Sequence, residues 1–102
     1  MSMYAIEAVR INAESGRIEQ VRWGRIDPAH HSWETEPVIS DVIEVVGKLM
    51  DGNDVWTAFS VGNLSVLGPK VRVVRYKYGS ESIETVDPAN HVGRTLHDLP
   101  TF

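Results

Sequence analysis

Cysteine is absent from the 102 residues, which excludes a disulfide framework, a thiolate zinc site and a cysteine nucleophile, and fits a reducing compartment. No run approaches the roughly 18 consecutive apolar residues that a membrane span needs. The opening "MSMYAIEAVR" lacks the basic segment and apolar core of a secretory leader. A cytoplasmic protein with no membrane partner is the expectation. Catalytic signatures are missing as well. Ser32, Ser60, Ser65 and Ser80 lie outside any Gly-x-Ser-x-Gly elbow, and the glycines of "GNLSVLGP" introduce no phosphate-binding loop. His30, His31, His91 and His97 form no His-x-x-x-His pair and no His-Glu-x-x-His motif, and two adjacent loop histidines do not converge on one ion. The carboxylate pairs Glu34/Glu36 and Asp51/Asp54 read as hydrated groups of loops and helix ends. No catalytic residue, metal or cofactor is assigned.

What is present is ordinary globular composition: 42% hydrophobic, 24% charged, formal net charge −4. That is the make-up of a single domain over residues 1–102, with a core too small to enclose a large ligand cavity. "YAIEAVRIN" and "RIEQVRWG", joined by the turn residues of "AESGR", read as a β-hairpin. "RIDPAHHSWETEP" has two prolines and no period, and reads as a long loop. From Val38 the pattern changes. Val42, Val45, Val46, Leu49 and Met50 recur at helical spacing, which predicts a helix from about Asp41 to Met50 with Ser40 as N-cap and Gly52 beyond its end, a start at Thr35 with Pro37 in the first turn being the alternative. Gly47 either lets this helix approach the sheet or simply weakens it.

"DVWTAFSV" is a third strand, "GNLSVLGP" a connection with room for a short strand of its own, "KVRVVRYKY" a fourth strand and "IETV" a fifth. The expected fold is therefore α+β: an antiparallel sheet of about five strands, β-β-α-β-β-β, with one helix packed on one face. In the tail "TLHDLPTF", Leu96, Leu99 and Phe102 are too apolar for a free terminus, so docking on the domain is expected.

Strict alternation fails in "KVRVVRYKY". A bulge at Val73 and Val74 would sort the valines and tyrosines onto one face and Lys70, Arg72, Arg75 and Lys77 onto the other. A matching bulge at Ala8 and Val9 would do the same for the first strand. Between Asp27 and Asp54 there are seven acidic residues and one basic one, Lys48, so the helix-and-loop side is expected to be acidic. The open sheet face would carry Arg10, Arg22, Arg72, Arg75 and Lys77 around Trp56. Arginines with an aromatic on an open sheet are what single-stranded nucleic acid stacks on; the ordinary alternative is a solvated face with cross-strand charge pairs. Trp23 is expected in the core, and Trp33 over its edge, with an exposed binding anchor as the alternative for Trp33.

The ends of the chain resemble a family of small bacterial domains of unknown function. That family opens with Ile-x-x-Val-Arg, continues with Gly-Arg-Ile-x-x-Val and closes with Leu-x-x-Leu-Pro-x-Phe. The corresponding residues are Ile6, Val9 and Arg10; Gly16, Arg17, Ile18 and Val21; and Leu96, Leu99, Pro100 and Phe102. "SDVIEVVGKLMDG" also follows the pattern loosely, whereas "DPAHHSWETEP" and "GNLSVLGPKVRVVRYKYG" depart from it by their length. The resemblance implies a bacterial source and the α+β layout, and no catalytic residue. The functional expectation is a non-catalytic accessory or protein-interaction domain, self-association through an edge strand or the acidic helix side included. Single-stranded nucleic-acid binding is the alternative, and a small-ligand or metal-dependent enzyme the third reading.

Overall fold

Two runs of β-branched residues on either side of the Asn12 turn form the hairpin expected of them, and everything else is laid against it. The computed structural model describes residues 2–27, 29, 32–61, 64–76, 79, 81–86 and 95–102. Its elements are β1 (Met3–Ile11), β2 (Ile18–Asp27), β3 (Ser32–Trp33), β4 (Val38–Asp41), α1 (Val42–Met50), β5 (Asp54–Val61), β6 (Leu64–Arg75), β7 (Glu81–Thr85) and a 3-10 turn at Leu96–Asp98. The sheet runs β3-β2-β1-β5-β6-β7, with β4 also paired to β2. One helix and a mostly antiparallel sheet match the expected α+β class. The detail differs, because the sheet has seven strands and is mixed. β1 and β5 pair in parallel, from Met3 opposite Asp54 to Ile6 opposite Thr57. The reason is β4. "VISD" is a strand and not the run-up to a helix, so β4, α1 and β5 form a strand-helix-strand crossover that returns the chain in its original direction.

The helix starts one residue later than expected, at Val42 with Asp41 and not Ser40 as N-cap, and the Asp41 carboxylate accepts a bond from Gln20 Nε2 at 3.1 Å. Its facing is as the period requires: Val45 and Val46 are buried, and Val42 and Leu49 pack against the same cluster. Gly52, at φ +89°, ends it in the left-handed region that favours glycine. The main core lies between α1 and the sheet. It gathers Ile6, Val9, Ile18, Val21, Trp23, Val55, Val71 and Ile83, with Leu96 and Leu99 of the tail. Trp23 stacks on Tyr4 with ring centroids 4.8 Å apart.

The irregularities of the sheet sit elsewhere than the alternation suggested. In β1 the extra residue falls between Ile6 and Ala8, so Ala8 pairs with Arg22 on the outer face and only Val9 returns to the core. β6 and β7 pair without interruption from Val71 opposite Thr85 to Arg75 opposite Glu81, so there is no bulge at Val73 and Val74. The irregularity of β6 lies at Gly68 and Pro69, opposite Thr57, where the register slips between the pairs Trp56/Lys70 and Ala58/Leu67. Pro69 has no amide to give the ladder; its carbonyl instead accepts the buried Thr57 hydroxyl at 3.0 Å. A Cβ on Gly68 would overlap that hydroxyl and press on the Phe59 ring. "GNLSVLGP" is thus not a separate connection: its described part continues into "KVRVVR" as one strand bent at this point.

The tail is docked. Leu96 and Leu99 are buried, and the Leu96 amide donates to Thr85 Oγ1 at 2.9 Å. Phe102, the third apolar residue of the tail expected to dock, stays 41% exposed.

Candidate functional site

The proposed nucleic-acid residues are placed by four strands. Arg22 on β2, Trp56 on β5 and Arg72 on β6 point away from α1, as does Arg10, which follows the core residue Val9. Unbroken alternation sets Arg75 on the side of Val71 and Val73, so the structure separates Arg75 from Arg72. Lys77 lies outside the described residues.

Each of these arginines has a carboxylate beside it. Arg10 meets Glu19 at 3.1 Å, Arg22 meets Glu7 at 3.0 Å, Arg72 meets Glu84 at 2.7 Å and Arg75 meets Glu81 at 3.2 Å. Two of the pairs, Arg72 with Glu84 and Arg75 with Glu81, are direct cross-strand neighbours in the β6–β7 register. The result is a ladder of alternating sign, in which a phosphate must displace a carboxylate before it gains a guanidinium. Lys70 lies over the Trp56 ring, 4.9 Å from its centroid, and reaches Asp54 at 3.6 Å. Arg17 covers Tyr76 at 3.7 Å.

A second, smaller apolar cluster occupies the outer face. Ala5, Ile26 and Ala58 are its buried floor, and Met3, Trp33 and Trp56 lie on them. Trp33 is brought there by the two-residue β3, paired to Ile26 and Asp27, and a Cβ on Gly24 would press on the Thr35 carbonyl and hydroxyl and then on the Trp33 ring. The loop tryptophan therefore does cover a core edge, on the face opposite the helix. Trp56 Nε1 is shut off from solvent and has no hydrogen-bond partner among the described residues.

The other exposed feature is the β4 edge, in place of the expected run-up to the helix with Ser40 as its cap. β4 pairs with β2, from Val38 opposite Trp23 to Asp41 opposite Gln20, and with no other strand among the described residues. Val38 and Ile39 are each 57% exposed, and Ile43, in the first turn of α1, is 58% exposed. Three β-branched apolar side chains thus stand in water beside an open row of backbone donors and acceptors, the arrangement that edge strands ordinarily avoid by carrying charge. Carboxylates flank it: Glu36 and Glu44 have no cationic partner among the described residues, and Asp41 is held by Gln20. The signal was in "PVISDVI", where β-branched residues follow a proline.

Of the histidines, His30, His31 and His91 lie outside the described residues, and His97 Nε2 is 3.1 Å from the Gly16 carbonyl. Among the described residues no three His, Asp or Glu side chains converge as metal ligands, and no helix is long and apolar enough to cross a membrane. No family model, curated protein or solved structure matches the chain.

Proposed function

We propose that the chain is a small non-catalytic protein-interaction domain that takes up a protein partner along the open edge of β4. The observation that carries this reading is the exposure of Val38 and Ile39 on a strand whose outer backbone groups pair with no other strand among the described residues. Strand addition supplies main-chain hydrogen bonds for affinity and side-chain contacts on both faces for choice of partner. A bacterial cytoplasm is the proposed setting; the resemblance of the two chain ends to small bacterial domains supports it. Single-stranded nucleic acid on the outer face is the second reading, favoured by the cation-aromatic pair of Lys70 and Trp56 and opposed by the carboxylate beside each candidate arginine. The test compares tagged wild type with Ile39→Lys and Arg72→Ala. A protein partner retained by wild type and Arg72→Ala, lost by Ile39→Lys and reconstituted from pure components supports the β4 reading. Retention by Ile39→Lys overturns it. Salt-sensitive binding of oligonucleotides that Arg72→Ala abolishes would favour the second.

A further inference from the structure

The charge around β4 selects among possible occupants. Glu36 precedes the strand, Asp41 ends it and Glu44 follows in the first turn of α1. Of the nearest cations, Arg22 is held by Glu7, Arg25 is held by Glu34 at 3.3 Å, and Lys48 lies toward the Tyr4 ring, 6.0 Å from its centroid. The edge therefore presents an apolar centre between carboxylates that no cation neutralises among the described residues, Asp41 being held by the neutral Gln20.

From this we infer that the occupant of the β4 edge is a basic extended segment of another protein, with two consecutive apolar residues between lysines or arginines, and not a second copy of this chain. The inference rests on the proposed strand-addition reading and names its partner. Two consecutive apolar residues are required because Val38 shares the face of Trp23 and Ile39 the face of Arg22, so a partner strand meets one on each side of the sheet. From Glu36 to Asp41 is about 17 Å of extended chain, which places the cations at the two ends of a segment of roughly six residues. A second copy fits badly. Antiparallel self-pairing centred between Val38 and Ile39 sets Glu36 opposite Asp41 twice. Centring it on Ile39 brings Glu36 beside Val42, one position from Asp41. The first register sets carboxylates directly opposite one another and the second sets them diagonally across the seam, and like charges so placed oppose pairing.

The test is an NMR titration of the full chain with a blocked peptide, Gly-Lys-Thr-Val-Ile-Thr-Lys-Gly. Controls are the same peptide with both lysines replaced by glutamate, and one N-methylated at the Val and Ile amides so that a blocked amide faces β4 in either register. The expected result is a set of amide shifts centred on Val38 to Asp41, at least about tenfold weaker binding of the glutamate peptide, and loss of the shifts on N-methylation. Glu36→Lys combined with Glu44→Lys, two exposed positions, should remove the preference for lysine while leaving the thermal melt in place. Equal affinity for the two unmethylated peptides overturns the charge selection and leaves strand addition standing. Absence of shifts at β4 with every peptide overturns strand addition as well. A dimer in sedimentation velocity that Ile39→Lys dissolves shows that the occupant is a second copy, and overturns the inference.

Discussion

The Val9 amide donates to the Pro100 carbonyl at 2.9 Å, and the Val9 carbonyl accepts the Phe102 amide at 3.1 Å. Both bonds exist because β5 accompanies β1 only as far as Ile6. Beyond the bulge between Ile6 and Ala8, β1 would expose an unpaired edge above the core, and the last residues of the chain fill that place as a parallel bridge from Val9 to Thr101. Leu96 and Leu99 close the core beneath it.

Removing the chain after Arg94 therefore deletes two buried leucines and reopens the Val9 edge. Each leucine is worth about 1.5 to 3 kcal/mol before ordering costs, so a net loss of roughly 3 kcal/mol is expected in urea melts. Phe102→Ala, at a half-exposed site, should cost less than about 1 kcal/mol. An unchanged midpoint for the truncated chain would contradict the docking.

The tail also carries a pH dependence. Asp98 Oδ2 accepts the Thr95 amide at 2.9 Å and the Thr95 hydroxyl at 2.8 Å. These bonds, the backbone one first, hold its carboxyl below the ordinary aspartate value of 3.8, with His97 adding a smaller pull and desolvation opposing them. A depressed folded pKa means that the stabilisation is present above 3.8 and is lost as pH falls through the lower, folded value. Protection of the Leu96 and Leu99 amides, measured against their intrinsic exchange rates, should fall over that acid range ahead of protection at Val45. In Asp98→Asn the loss of protection should be present already at neutral pH. Protection at the tail and helix that falls together in both proteins would refute a local cap.

The glycines separate by what surrounds them. A Cβ on Gly47 meets no atom within 4 Å, so the residue weakens the helix without serving a close contact, and Gly47→Ala should stabilise by about 1 kcal/mol. Gly68→Ala has no such room and should destabilise by about 1 to 3 kcal/mol through displacement of Thr57 or Phe59. Thermal melts of the two variants should move in opposite directions; a shift of the same sign in both would show that the helix or the bulge is misread.

Where local pattern decides, the sequence was legible. Val45 and Val46 face the core because a 3.6-residue period leaves them nowhere else, and Leu96 and Leu99 are buried because a tail so apolar must be covered. Where distant segments decide, it was not. The β-branched pair after Pro37 in "PVISD" is a strand signal, but four residues are too few to separate a strand from a helix approach until β2 is beside them. In "KVRVVR" the pattern alone points to a bulge at Val73 and Val74, whereas the irregularity sits at Gly68 and Pro69 and the strand beyond it alternates regularly. The basic face suffered most. Which carboxylate stands opposite Arg72 or Arg22 is a matter of register between strands, and register is not visible in one strand alone.

That register bears directly on polyanion binding. Arg10, Arg22 and Arg72 lie on the outer face, each against a glutamate on exposed ground, where a pair is worth only about 0 to 1 kcal/mol. The carboxylates therefore cost a polyanion little in bond breaking and much in repulsion. Wild type should show no salt-dependent binding of single-stranded DNA or RNA in fluorescence polarisation. Glu7→Gln, Glu19→Gln and Glu84→Gln together preserve side-chain size, remove three negative charges and release three guanidiniums beside Trp56 and Lys70. This variant should gain weak binding whose logarithm falls with the logarithm of salt by about 0.7 per phosphate contacted. Wild-type binding as strong as that of the triple variant would show that the glutamates do not neutralise this face, and would return nucleic acid to the leading place.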